Sequence, residues 1–206
     1  MTAAEIAALA ASYLLGAIPT SYLAGRVFKG IDLREHGSKN LGATNVYRIM
    51  GWRYAIPVGI FDVAKGAVPV LILGPAASAL PWFPLVCGVL AVVGHVFSVF
   101  VGFKGGKGVA TSAGVVLGLA PMAVGVCLAV WAVIVWVSGY VSLGSVVAAG
   151  IFPALVWLFY PARRDSIWLY LVLAAVIIWM HRANLRRLAA GTENRFGRHA
   201  KGPTAP

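Results

Sequence analysis

Acidic residues are scarce in this chain: six among 206, against 17 lysines and arginines. Charge of either sign makes up only 11% of the residues, where a soluble domain carries about 25%. That scarcity excludes water as the solvent for most of the chain. Cysteine is nearly as rare. Cys87 and Cys127 both sit inside apolar stretches, so they form no disulfide framework and read as packing residues. No Cys, His or carboxylate cluster has metal-ligand spacing, and neither a Ser-His-Asp nor a nucleophile-elbow pattern occurs. The expectation is therefore no metal and no cofactor.

What the chain has is apolar length. Hydrophobic residues make up 60% and the mean hydropathy is +0.86. A bilayer-spanning helix needs roughly 17–25 mostly apolar residues. Residues 3–28, 54–74, 81–101, 142–160 and 166–180 qualify, and residues 109–137 are long enough to be read two ways. The predicted class is an all-α polytopic membrane protein, one domain over residues 1–206. The first stretch has no basic amino-terminal region, so it reads as an uncleaved span rather than a signal peptide. A net charge of +11 and a pI near 10.2 would suggest nucleic acid in a soluble protein. In a membrane protein, basic residues hold loops on the cytoplasmic side, and no nucleic-acid partner is expected.

The distribution of charge sets the topology. Arg26, Lys29, Arg34, Lys39, Arg48 and Arg53 follow the first span, and Lys104 and Lys107 follow the third. Arg182, Arg186, Arg187, Arg195, Arg198 and Lys201 fill the tail. If residues 109–137 form two short spans turning near Gly118-Leu119-Ala120-Pro121, all three groups lie on one face. The reading is seven transmembrane helices, with the amino terminus outside and the carboxyl terminus cytoplasmic. The cost is a fourth span of only about twelve residues. Trp52, Trp82, Trp131, Trp136, Trp157 and Trp168 fall near span ends, as an interfacial belt requires. The glycines within the spans suit close helix packing.

Three polar clusters then share the cytoplasmic face. The first runs from Glu35 to Arg48 and contains Ser38, Asn40, Thr44 and Asn45, short hydrogen-bonding residues among glycines. Arg48 adds a planar fork suited to phosphate or carboxylate. At 25 residues this loop is longer than a passive connector needs. The second cluster is Gly102-Phe103-Lys104-Gly105-Gly106-Lys107-Gly108. Its glycines expose successive N–H groups before a helix start, and with two lysines they predict an anion cradle. Its spacing is not that of a Walker loop, so ATP hydrolysis is not implied. An added Cβ at Gly105 or Gly106 is expected to weaken binding without unfolding the protein. The third cluster holds His181 and Asn184, i and i+3 at the end of the last span, followed by Glu193 as partner in a specific ion pair. Ser142 opens the sixth span; it either caps that helix or aims its hydroxyl into the site, and spacing favours the cap. Asp62 and Lys65 read as a structural ion pair inside the second span, and His95 as an intramembrane hydrogen bonder. The residues alone specify an anionic, phosphorylated substrate handled beside lipid.

The clusters resemble one family, the integral-membrane acyl-phosphate:glycerol-3-phosphate acyltransferases of bacteria. The resemblance covers essentially the whole chain. It rests on Gly16-Ala17-Ile18-Pro19 and Ser21, on Gly37-Ser38-Lys39-Asn40-Leu41-Gly42-Ala43-Thr44-Asn45 with Arg48, and on Asp62-Val63-Ala64-Lys65-Gly66 and Gly94-His95. Phe103 to Thr111, Ser142 and residues 181–193 complete it. Lys39 departs from the pattern, which more often has glycine there. The resemblance implies a seven-span fold in the bacterial inner membrane with a cytoplasmic active site. It implies transfer of a fatty acyl group from acyl phosphate to the 1-hydroxyl of glycerol 3-phosphate, giving lysophosphatidic acid and phosphate in phospholipid synthesis. Ser38, Arg48, Lys104, Ser142, His181, Asn184 and Glu193 would be catalytic. Asn40, Thr44, Asn45, Gly102, Gly105, Gly106, Lys107 and Gly108 would bind substrate, and the acyl chain would lie in membrane lipid. His181, Glu193 and a substrate phosphate oxygen are the candidates for the base. The rival reading, a small organophosphate transporter, calls for charged groups near the midplane and an internal repeat, and no repeat is present.

Overall fold

The computed structural model describes residues 1–196 and is helical, with no strand among the described residues. Arg198 and Lys201 of the basic tail lie outside them. The chain divides into two compact units, Met1–Leu119 and the stretch from Ala120 onward.

In the first unit the helices are α1 (Ala3–Ala17), α2 (Thr20–Lys29), α3 (Ala43–Met50) and α4 (Trp52–Val68). They are followed by α5 (Gly74–Ala77), α6 (Phe83–Val96) and α7 (Val109–Leu117). The first apolar run, expected as one helix, is broken at Ile18-Pro19, because proline has no N–H to continue the ladder. A break within an apolar span strands carbonyls that need donors. Two arrive from distant positions: Ser98 Oγ donates to Ala17 O at 2.5 Å, and Lys65 Nζ to Ile18 O at 2.9 Å. Lys65 also pairs with Asp62 at 2.8 Å, while Thr20 Oγ1 donates to the same carboxylate at 2.6 Å. The predicted ion pair is present, and it repairs the break. Pro69 interrupts the ladder again; the π-helical turn Pro69–Leu73 carries the chain past it into α5.

Glycine sets helix spacing as expected. A Cβ at Gly94 would collide with Tyr13 O, and one at Gly16 with Ala91 O, which locks α1 against α6. Gly66 meets Thr111 O and Gly114 meets Val63 O in the same manner between α4 and α7.

The second unit holds α8 (Pro121–Ser138), α9 (Val141–Phe159), α10 (Ile167–Met180) and α11 (Arg182–Ala189). Gly144 of α9 seats against the Trp131 ring, and Phe152 packs on Tyr170 with centroids 5.9 Å apart. The expected turn falls where predicted, between Leu117 and Pro121, although α7 is nine residues rather than about twelve. By length and composition five stretches can cross a membrane, or six if the pair bent by 53° at His181 counts as one. Both cysteines are free and buried.

Candidate functional site

In the first unit the polar loop between α2 and α3 is organised by one side chain. Asn45 is buried, and its Nδ2 donates to Leu33 O and His36 O, both at 3.1 Å. Its Oδ1 accepts the Ser38 N–H at 2.8 Å. An amide has two N–H donors, so both are consumed by loop backbone. Asn45 thus clamps the loop from within. Gly37, at φ +60°, lies so close to Asn45 Oδ1 that a Cβ would overlap it. Ser38, Asn40, Thr44 and Arg48 are half-buried on this loop and on α3.

Asp32 and Arg34 are functional-site neighbours that the motif reading passed over. Arg34 grips Asp32 in a fork, Nη2 at 2.7 Å and Nε at 3.0 Å, and its Nη1 reaches Val101 O at 3.1 Å. The Arg34 guanidinium holds the Asp32 carboxyl down to about 2 against the opposing effect of burial. This ties the first loop to the start of the glycine-rich one. The available signal was Asp32 itself, a rare carboxylate in a basic loop.

The glycine-rich loop has a different physical basis from the one expected. Gly105 N–H donates to Val96 O at 3.0 Å and Gly106 N–H to His95 O at 3.1 Å. These two groups are therefore committed to backbone and are not part of an exposed N–H cradle. The residues are glycine because the loop lies flat on the end of α6. A Cβ at 105 would strike His95 O, and one at 106 the His95 ring and Leu41 O. A substitution there displaces backbone, so a loss of stability is expected alongside weaker binding. Gly102 (φ +65°) and Gly108 (φ +80°) supply the turns at either end. The His95 ring faces Asp62, with Nδ1 3.8 Å from its carboxylate. Lys104 is exposed, and a cavity of about 510 Å³ is lined by Asp32, Arg34, Glu35, Lys39, Lys104 and Gly105.

In the second unit the structure brings Ser142, Asn184 and Glu193 together. Glu193 Oε1 accepts from Ser142 Oγ at 2.9 Å and from Asn184 Nδ2 at 2.6 Å, while Oε2 accepts from Arg187 Nε at 2.7 Å. Ser142 is therefore not a helix cap: Tyr140 holds the N-cap position of α9, and the Ser142 hydroxyl points at Glu193. Burial pushes the Glu193 carboxyl up, but the bonds from Asn184, Arg187 and Ser142 outweigh it and hold it below its ordinary value. A carboxylate so satisfied is a weak base. His181 is buried at the bend between α10 and α11, with Nδ1 2.7 Å from Ile177 O. A carbonyl only accepts, so Nδ1 donates to it.

Fold and sites together define a class: a helical membrane protein whose polar side chains form a basic, glycine-bearing cluster in one unit and a carboxylate-centred cluster in the other. The family model for glycerol-3-phosphate acyltransferase matches residues 6–191. A glycerol-3-phosphate acyltransferase from Geobacter sulfurreducens is 46% identical, the match covering 93% of this chain and 97% of the relative. Another from Chlorobaculum parvum is 41% identical over 95% and 98%. Crystal structures of PlsY (YgiH), an integral membrane glycerol 3-phosphate acyltransferase, superpose with a TM-score of 0.87 for the glycerol 3-phosphate form and 0.83 for the lysophosphatidic acid form. Both are 38% identical; the first covers 94% of this chain and 96% of the other, the second 94% and 95%. The chain belongs to the glycerol-3-phosphate acyltransferase family.

Proposed function

We propose that this chain transfers a fatty acyl group from an acyl phosphate to the 1-hydroxyl of glycerol 3-phosphate, releasing lysophosphatidic acid and inorganic phosphate. One observation carries the reading. A relative of the same fold, 38% identical over nearly the whole chain, is known in a glycerol 3-phosphate form and a lysophosphatidic acid form. Those two molecules differ by one acyl group.

Acyl phosphate is a mixed anhydride, already activated, so the reaction needs orientation and charge stabilisation rather than a covalent intermediate. Arg48, Lys104 and Lys107 neutralise substrate phosphate, with Ser38, Asn40 and Thr44 as hydrogen-bonding neighbours. Gly102, Gly105, Gly106 and Gly108 shape the loop that presents the two lysines. The glycerol hydroxyl oxygen bonds to the acyl carbon, the carbonyl carbon–phosphate oxygen bond breaks, and its electron pair leaves on phosphate. Ser142, Asn184 and Glu193 hold His181's helix junction and the polar wall beside the reacting carbonyl. The hydroxyl proton passes to a substrate phosphate oxygen. A second reading, favoured by the Nδ1–Ile177 hydrogen bond, passes it to His181 Nε2; Glu193 has its donors already and takes no part in proton transfer.

In the same reading residues 1–206 act as a single domain with seven spans. The amino terminus lies outside and the carboxyl terminus inside, in a bacterial inner membrane with the polar clusters on the cytoplasmic side. The gathered basic residues support that orientation, and the acyl chain stays in lipid. Purified protein given acyl phosphate and glycerol 3-phosphate should release phosphate and lysophosphatidic acid in equal amounts, and acyl-coenzyme A should not replace the donor. Turnover with the thioester alone would overturn the donor assignment.

A further inference from the structure

We propose that Lys39, with Arg34, extends the Lys104 site into a binding mouth for a phosphomonoester group, and that Lys39 sets its affinity. The inference rests on the function proposed above. Among the described residues only two that are not glycine have a left-handed backbone, Lys39 at φ +57° and Phe103 at φ +62°. Lys39 lines the cavity, and Phe103 immediately precedes Lys104, which lines it as well. Such a conformation disfavours a side chain, and it persists where the surroundings over-determine it, commonly at a binding site. At position 39 glycine would fit without strain, yet a cation stands there.

The charges of the lining show what that cation does. Asp32 and Glu35 face Arg34, Lys39 and Lys104 around the cavity. Arg34 is already forked onto Asp32, so its charge is largely answered locally. Three cations against two carboxylates leave a single positive charge. Without Lys39 the lining itself is neutral, and a dianionic phosphate keeps only the weaker pull of cations behind it, such as Arg26, 3.4 Å from Asp32. Lys39 is exposed, so the interaction acts through solvent and is screened by salt. A modest effect on affinity follows.

The phosphate group could belong to glycerol 3-phosphate, to the acyl phosphate donor or to the phosphate product, and one set of measurements separates them. Lys39→Gly removes the charge and relieves the backbone, so it should fold at least as well as the parent; Lys39→Gln removes the charge and keeps the chain length. Both should raise KM for one phosphorylated substrate, or the inhibition constant for inorganic phosphate, about three- to ten-fold at low salt, with kcat within about two-fold. The constant that moves names the source. Lys39→Arg should stay near wild type. Lys29→Ala, the same charge lost from the exposed end of α2, should change none of them. Unchanged constants in both Lys39 variants, or an equal rise in Lys29→Ala, would overturn the proposal. If the wild-type chain gives no acyl transfer, the reading of function fails instead. Calorimetric titration with inorganic phosphate then decides the site alone: binding three- to ten-fold weaker in Lys39→Gly supports it, and equal binding overturns it.

Discussion

Two buried carboxylates, Asp62 in the first unit and Glu193 in the second, use nearly the same chemistry for different ends. Asp62 takes Lys65 at 2.8 Å and Thr20 at 2.6 Å, with the His95 ring 3.8 Å away. Glu193 takes Arg187, Asn184 and Ser142 at 2.6–2.9 Å. The difference lies in the cation. The Lys65 side chain is 1% exposed and passes its remaining reach to Ile18 O, so that network is sealed. Arg187 is 38% exposed, so the Glu193 network opens outward. Hydrogen-bond count does not distinguish the two networks; access does.

Breaking the sealed network should have the largest effect. Lys65→Met leaves the Asp62 carboxylate uncompensated inside the span, at a cost of about 3–5 kcal/mol. Most of that should return in the double variant Asp62→Asn/Lys65→Met, which removes both charges. Thermal unfolding in detergent is the readout; equal losses in single and double variants would mean that Lys65 only fills space.

Asn45→Ala should come next. It orphans Leu33 O and the Ser38 N–H, while His36 O keeps the Lys39 N–H at 3.0 Å, and each buried unsatisfied group costs about 1–3 kcal/mol. Water entering the loop would reduce the sum, so a net loss of about 2–4 kcal/mol is expected. If Asn45→Ala keeps the parent's unfolding temperature while KM rises, the amide contacts substrate after all.

These two cases also show what could be read from sequence. The apolar runs, the turn before Pro121 and the Asp62–Lys65 pair were legible, because hydropathy and i, i+3 spacing are local. The break at Pro19 was visible as a proline yet lost in the hydropathy, since Ile18 and Leu23 on either side keep the average apolar. The glycine-rich loop was legible as a loop, but nothing local says that Gly105 and Gly106 give their N–H groups back to Val96 and His95. Ser142 looked like a cap because its partner lies 51 positions away.

A smaller loss separates the loop's two explanations. Gly105→Ala forces the His95 carbonyl or the loop itself to move, and overpacking of this sort costs about 1–3 kcal/mol. Stability and KM should both suffer. A change in KM with full stability would restore the simple anion cradle.

The smallest effect is the response to acid. Glu193 sits below its ordinary value of 4.5 in the folded chain. Its contribution is therefore complete above about pH 4.5 and fades as pH falls through the depressed folded value. Ser142-to-Glu193 docking, followed by a fluorescent label near residue 192, should loosen in that window in the parent and show no such transition in Glu193→Gln. An identical acid profile in both would assign the transition to another group.

In the function proposed above, the basic cluster of the first unit and the carboxylate-centred cluster of the second both serve acyl transfer. Steady-state kinetics of Arg48→Ala and His181→Ala test it most directly, in protein whose unfolding temperature matches the parent. A fall of about 100-fold or more in kcat/KM is expected for each, dominated by KM for Arg48→Ala, with Arg48→Lys recovering little because a point charge cannot replace the fork. His181→Ala should act mainly on kcat if Nε2 takes the hydroxyl proton, with a changed pH–rate profile. Near-parental kcat and KM in either variant would contradict the account and leave that cluster a marker of membrane orientation alone.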